Sequence, residues 1–417
     1  GMKKPPAKIK VKAVKFEDGI VRVELVDIPE KLKFKRLREE APVYWHEESL
    51  DFEPGFWALT KHQDIIQVSK DPSTFSSALG GHLMTMGDPK QVDPSAVAAV
   101  IGNMIGMDPP EHQVYRKMVS PGFSPKIIRD MEEGIRNKCR NLMSEVKDKK
   151  EFNFVTEIAE QLPLWVLSEM MGIKESDRAK VRDLVNELTD SSIQQDPEKQ
   201  AQVWLNYMEL FKMGRDMIEE RRKNPTEDLM SVVANSEVKG EGLPPELLDG
   251  FFLLMVIAGN ETTRNTITGG LIALSENPAQ KEKLLNDSLL FANAADEMLR
   301  WVSPVIYFRR TATKDTQIGE QLISKGDKVV MWYGAANRDE DIFKEAHKFK
   351  VDRRNAKQHI AFGAGEHLCL GNRLGHMQIR ILFEELLTAY PNIKVISEPT
   401  RIPSNFLDSI SHLQVQI

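Results

Sequence analysis

One cysteine sits among three glycines in Phe362-Gly363-Ala364-Gly365-Glu366-His367-Leu368-Cys369-Leu370-Gly371, just ahead of an amphipathic helix. The glycines let the backbone pass close over a flat object and turn sharply. The following helix aims its amide dipoles at the sulfur, which favours the thiolate. A lone thiolate placed this way is suited to ligate iron, with nearby backbone N–H groups tempering its electron donation. The same residues also read as a buried structural thiol in a glycine-rich turn. A nucleotide loop is disfavoured, because both the G-x-G-x-x-G spacing and a terminal Lys-Ser or Lys-Thr pair are missing.

Three further groupings carry polar chemistry. Ala258-Gly259-Asn260-Glu261-Thr262-Thr263 interrupts an apolar helical stretch with a glycine, an acid and two alcohols. The threonines either bond back to preceding carbonyls while Glu261 reaches solvent, or an acid and an alcohol hand protons to a reacting group. Glu297 and Arg300 place opposite charges three apart on one helix face. His112 and Arg116, four apart after Asp108-Pro109-Pro110, share another face.

Most of the elements that must position these groups are helical. Apolar residues recur at three- and four-residue intervals over 111–119, 125–143, 155–171, 176–189 and 201–222. A longer pattern from 243 to 275 predicts one helix of about thirty residues, roughly 45 Å long at 1.5 Å per residue. The last helix is predicted over 372–388. Short strands are expected at 20–26, 55–60, 319–323, 328–333, 393–395 and 413–415. The glycine-rich stretch 78–106 reads as a long binding loop or lid. No linker or repeat divides the chain, so 1–417 is expected to form a single, mainly α-helical domain with small β-sheets, preceded by a flexible basic tail over 1–18.

Composition narrows the function classes. Lys and Arg total 56 against 62 Asp and Glu, a net charge of −6, so no global basic field attracts nucleic acid. The longest apolar run, 251–259, is about half of the ~20 residues a membrane-spanning helix needs. Two distant cysteines, Cys139 and Cys369, form no disulfide framework, and with no secretory segment in view a reducing, cytoplasmic setting is expected. Gly1 before Met2 reads as a remnant of tag removal.

The cysteine segment resembles the haem-binding signature of the cytochromes P450, with Phe362, Gly365, Cys369 and Gly371 at its fixed positions. The other groupings follow in the order that family shows them, over nearly the whole chain. The resemblance implies a haem-thiolate monooxygenase holding haem b (Fe-protoporphyrin IX) through Cys369. It makes Glu261 and Thr262 the acid and alcohol of proton delivery, with Gly259 making room for oxygen. It makes Glu297 and Arg300 a buried structural pair locked by Arg338, and gives His112, Arg116, Arg310 and His367 to the haem propionates.

Within that family the closest likeness is to bacterial enzymes that oxidise steroids, terpenoids, branched lipids and alkanes. The resemblance lines the substrate pocket with Met255, Ala258, Val305, Ile306 and Phe406, together with the lid and the 190–202 connection. An apolar steroid or terpenoid is therefore expected, and a fatty acid or alkane is the alternative. Arg309 is the one charge near the wall that would favour a carboxylate. A non-catalytic haem-containing ligand-binding protein, or an isomerase, dehydratase or peroxygenase on the same fold, is disfavoured by the intact Cys369, Glu261 and Thr262. With no reductase domain attached, electrons are expected from a ferredoxin reduced by an NAD(P)H-dependent ferredoxin reductase, docking near Arg373, His376 and Arg380 of a monomeric chain.

Overall fold

The computed structural model of the chain describes residues 16–17, 20–21, 30–47, 55–81, 103–189, 199–402, 404 and 406–417. Most of the expected tail, residues 82–102 of the lid, the 190–202 connection up to residue 198, and the strand expected over 20–26 beyond Val21 lie outside the described residues.

The chain is mainly helical with small sheets. The largest sheet has five strands: β1 (Val43–His46), β2 (Phe56–Leu59), β3 (Phe75–Ser76), β4 (Tyr307–Ala312) and β5 (Lys328–Trp332), in the order β1-β2-β5-β4-β3. All pairs are antiparallel except β2 with β5. Strand β5 is buried along its whole length, and its side chains alternate between two apolar clusters. Val329 and Met331 join Trp57, Leu59 and Phe75, whereas Val330 and Trp332 join Phe56 and Tyr307.

Ten helices organise the site: α1 (His62–Lys70), α2 (Glu111–Val119), α3 (Pro125–Val146), α4 (Gln161–Met171), α5 (Glu175–Thr189), α6 (Gln200–Lys223), α7 (Pro245–Ala258), α8 (Glu261–Glu276), α9 (Phe291–Val302) and α10 (Asn372–Ala389). Helix α10 buries Leu374, Ile381, Leu382 and Phe383, and Arg136 of α3 ties it down through Glu384 and Glu385, both at 2.7 Å. Among the described residues no helix is long and apolar enough to cross a membrane.

Two expectations need correction. The 155–171 segment is a π-helical turn, Val155–Ala159, followed by α4. The single helix expected over 243–275 is two helices, α7 and α8, broken at Gly259-Asn260. The Thr262 hydroxyl donates back to the Ala258 carbonyl at 3.0 Å, a bond that competes with the regular ladder and bends helices. Glycine eases packing at the break: a Cβ on Gly259 would lie 3.0 Å from the Met255 carbonyl oxygen and 3.1 Å from Leu167 of α4, so both would have to give by a few tenths of an ångström.

Candidate functional site

The cysteine segment folds as a loop between α1, α2 and α10. Its Gly365 has φ +66°, and a Cβ there would lie 2.1 Å from the Ser69 carbonyl oxygen, so only glycine lets the loop rest on the end of α1. The Cys369 N–H donates to the Phe362 carbonyl at 2.9 Å, closing the loop. Arg116 of α2 donates to the Leu368 carbonyl at 2.6 Å, which brings its charge close to the sulfur. Burial raises the Cys369 thiol above its ordinary value, opposed by the Gly371 N–H and by Arg116. Those two groups favour the thiolate, and a cation opposite the sulfur would offset the burial.

Cys369 lines one large cavity whose far wall is the broken helix. Phe362, His367 and Gly371 line it from the cysteine side, Met255, Ala258, Gly259, Thr262, Thr263 and Thr266 from α7 and α8, and Arg310 and Tyr333 from the sheet side. Thr266, and Val166, Leu167 and Met170 of α4, escaped the sequence reading. Their only signal there was helical periodicity, which gives a face but not its neighbour.

The charged groups in this cavity are cations: Arg116 and Arg310 line it, beside the imidazoles of His112 and His367, and among the described residues no aspartate or glutamate does. Arg310 is buried, with its guanidinium donating to the Arg309 carbonyl at 2.8 Å. Burial holds it below its ordinary value, with Tyr333 and Asp108 opposing. His112 is fully buried and neither ring nitrogen has a hydrogen-bond partner. His367 is placed differently. Its Nε2 lies 3.1 Å from Ser77 Oγ, its ring also bonds the Met107 backbone, and the ring packs on that of His112 with centroids 4.1 Å apart. Burial and the Arg310 charge push it down to about 3, so it is a neutral platform for His112.

This arrangement fits haem. Arg310 is a buried guanidinium with no carboxylate in ion-pair contact among the described residues, and the buried His112 ring nitrogens lack hydrogen-bond partners, so the site calls for an anionic group, which two propionates would supply. Among the described residues no three His, Cys, Asp or Glu side chains gather to hold a bare metal ion. Cys369 is therefore suited to an iron that arrives with its other ligands in place. His112, Arg116 and Arg310 would hold the propionates, and Phe362, Gly371 and Thr262 would lie against the ring's two faces.

Glu261 is adjacent to Thr262 but does not line the cavity. It is wholly buried in an ion pair with Arg264 three residues on. Arg264 also donates to Asn186 of α5 at 2.8 Å and lies 3.9 Å from the Glu160 carboxylate. Burial raises the Glu261 carboxyl, and Arg264 and Ser409 draw it back.

Below the cavity, Glu297 and Arg300 form a fully buried bidentate pair at 2.7 and 2.8 Å. The arginine that closes this network is Arg353, not Arg338. Arg353 Nε reaches both Glu297 oxygens at 3.2 and 3.0 Å. Arg338 donates to the Trp301 carbonyl at 2.6 Å and lies over the Trp301 ring at 4.6 Å, with no hydrogen bond to Glu297. Of the expected pocket residues, Met255, Ala258 and Val305 line the cavity, but Ile306 and Phe406 do not. Ile306, just ahead of β4, packs instead in the cluster of Tyr307 and Trp332. Phe406 packs against Tyr307 and Phe308 at 5.8 and 5.3 Å. Of the expected docking cations, Arg373 is exposed, Arg380 is bound by Glu132 and Glu384, and His376 turns to the Ala292 carbonyl.

The chain was compared with known proteins. The family profile of Cytochrome P450 matches residues 54–406. The chain is 38% identical over 387 residues to linalool 8-monooxygenase of Pseudomonas putida, covering 92% of this chain and 94% of that protein. It is 34% identical over 405 residues to steroid C26-monooxygenase of Rhodococcus jostii, covering 96% and 84% respectively. A solved Mycobacterium marinum cytochrome P450 in complex with pseudoionone superposes with a TM-score of 0.86 at 36% identity, covering 92% of this chain and 94% of that one. Matched along nine-tenths of its length, the chain belongs to the cytochrome P450 family and is an enzyme related to its steroid, terpenoid and lipid hydroxylases.

Proposed function

We propose that this chain acts as one domain that binds haem b through Cys369 and hydroxylates an apolar steroid or terpenoid. It would take O2, two protons and two electrons, the electrons from a ferredoxin reduced by an NAD(P)H-dependent reductase, and return one hydroxylated product and one water. The observation that carries this reading is one cavity, among the described residues, lined by Cys369 of the loop, by Thr262 of α8, by Arg116 and Arg310, and by apolar side chains such as Leu254, Met255, Val305 and Phe308.

Bound haem supplies O2 binding and the oxidising chemistry. The protein groups do the rest. Cys369 donates the sulfur ligand, and His112, Arg116 and Arg310 fix the orientation of the ring. The Thr262 hydroxyl stands in the cavity wall where it can order water and pass protons to oxygen. Glu261 is the adjacent proton source, and it must turn away from Arg264 to serve. Leu254, Met255, Ala258, Val305 and Phe308 exclude water and hold the substrate's C–H bond towards the reacting oxygen. Arg373 remains the exposed cation for an acidic electron donor.

An apolar ligand is supported by the absence of a spare cation on the described apolar wall. Arg309 does not line the cavity; its guanidinium packs against Gly80, and it hydrogen-bonds Thr311 at 3.3 Å. A fatty-acid carboxylate would therefore enter that wall unpaired, at a cost of several kcal/mol. The linalool and steroid C26 relatives and the pseudoionone complex support the same class. Optical titration of the purified protein with terpenoids, steroids, fatty acids and alkanes tests this through the low-spin to high-spin shift. Terpenoids or steroids are expected to shift the spectrum; strong shifts confined to fatty acids would reverse the assignment.

A further inference from the structure

We propose that His359 is a positioning residue of the thiolate loop, held by Asp296 in the one tautomer that can accept the Ala361 N–H. This rests on the reading of Cys369 as the haem ligand. The Ala361 N–H donates to His359 Nδ1 at 3.2 Å. A backbone N–H can only donate, so Nδ1 carries the lone pair and the ring proton sits on Nε2. That nitrogen lies 3.4 Å from the Asp296 carboxylate, and the imidazole is only 4% exposed. The second carboxylate oxygen faces His376 Nε2 at 3.5 Å, and His376 is itself anchored on the Ala292 carbonyl at 2.9 Å. Burial pushes the Asp296 carboxyl up, but the hydrogen bonds from His359 and His376 outweigh it and hold the group well below the usual carboxylate range.

The position of this pair gives it a consequence for the site. Asp296 precedes Glu297 on α9, His376 is on α10, and His359 stands three residues before Phe362, against whose ring it packs at 5.5 Å. The Phe362 carbonyl accepts the Cys369 N–H, and Ala361 and Phe362 both line the cavity. The carboxylate on α9 thus fixes a ring, the ring fixes the chain entering the loop, and that chain fixes the sulfur. A neutral imidazole with no carboxylate beside it places its proton on either nitrogen. The wrong choice sets two N–H groups face to face at the Ala361 position.

Two substitutions separate this role from simple filling of space. In His359→Asn the amide oxygen takes the place of Nδ1 and still accepts from Ala361. In His359→Gln the amide reaches Asp296 and leaves Ala361 without an acceptor. Asp296→Leu removes the tautomer constraint and is expected to follow His359→Gln. The readouts are the rate at which the red-shifted reduced carbon monoxide Soret band converts to the blue-shifted form and the rate of haem transfer to excess apomyoglobin. His359→Asn should stay within about twofold of the parent protein, and the other two should be about tenfold faster, the scale of one lost buried hydrogen bond. Accumulation of holoprotein for His359→Asn but not for His359→Gln has the same meaning. The proposal is overturned if Asn is as fast as Gln, if all three match the parent, or if neither His359 variant accumulates. A parent protein without the red-shifted band would instead refute the Cys369 reading.

Discussion

Replacing Arg353 with alanine should destabilise the protein by about 3 to 5 kcal/mol, the cost of breaking a buried ion network on one side. Besides both Glu297 oxygens, Arg353 donates to the carbonyls of Lys344 at 2.6 Å, Glu345 at 3.1 Å and Lys348 at 2.7 Å. Its side chain is 4% exposed, so water cannot readily replace those bonds. Arg338→Ala removes one carbonyl bond, about 1 kcal/mol, and one cation–ring contact, about 0.5 to 1 kcal/mol. It also relieves a strained charge, because burial and the Arg300 charge hold the Arg338 guanidinium down to about 10. The two variants should therefore differ by roughly 2 kcal/mol, or about 30-fold in the unfolding equilibrium. Urea unfolding of the two holoproteins at matched haem content, followed by far-ultraviolet dichroism and tryptophan fluorescence, gives the comparison through the midpoints. An Arg338→Ala midpoint at or below that of Arg353→Ala would refute the assignment of Arg353 as the closing arginine.

Thr262→Ala should leave the substrate-induced spectral shift intact while product per electron pair falls on the order of 10²-fold and peroxide accumulates; unchanged coupling would remove Thr262 from proton delivery. Arg264→Met removes the cation that draws the Glu261 carboxyl down, so burial should drive it higher still. Glu261 then keeps its proton to higher pH, and the pH at which coupling falls by half should rise. The same sign applies to stability: the protonated form is favoured in the fold, so the melting temperature of this variant should drop more steeply than the parent's as pH rises through that range. A downward shift in either profile would contradict the pairing.

Much of the site was legible because its signals are local. The cysteine and its glycines lie within ten residues, and Glu297 and Arg300 meet through helical spacing alone. Arg353 was not legible because it is 56 positions from Glu297, and nothing in its neighbourhood separates it from Arg354 beside it or from Arg338. The direction of Glu261 was missed for a related reason. Adjacent helical residues diverge by about a third of a turn, so an acid beside a cavity-lining alcohol points elsewhere, and its partner Arg264 then decides where. Ile306 and Phe406 share apolar character with Val305, which is what a core and a pocket have in common; only tertiary contact divides them. The break at Gly259 left a trace in composition, but the contact with Leu167 that explains the glycine needs α4 in place.

The most direct test is the spectrum of the reduced, carbon monoxide-treated protein compared with that of Cys369→Ser. The parent should show the red-shifted Soret band of thiolate ligation, and the serine variant should lack it while Cys139, buried and with its thiol pushed up to about 12, supplies no substitute. A red-shifted band that persists unchanged in Cys369→Ser would mean that another residue holds the iron and that the site described above is not where the chemistry occurs.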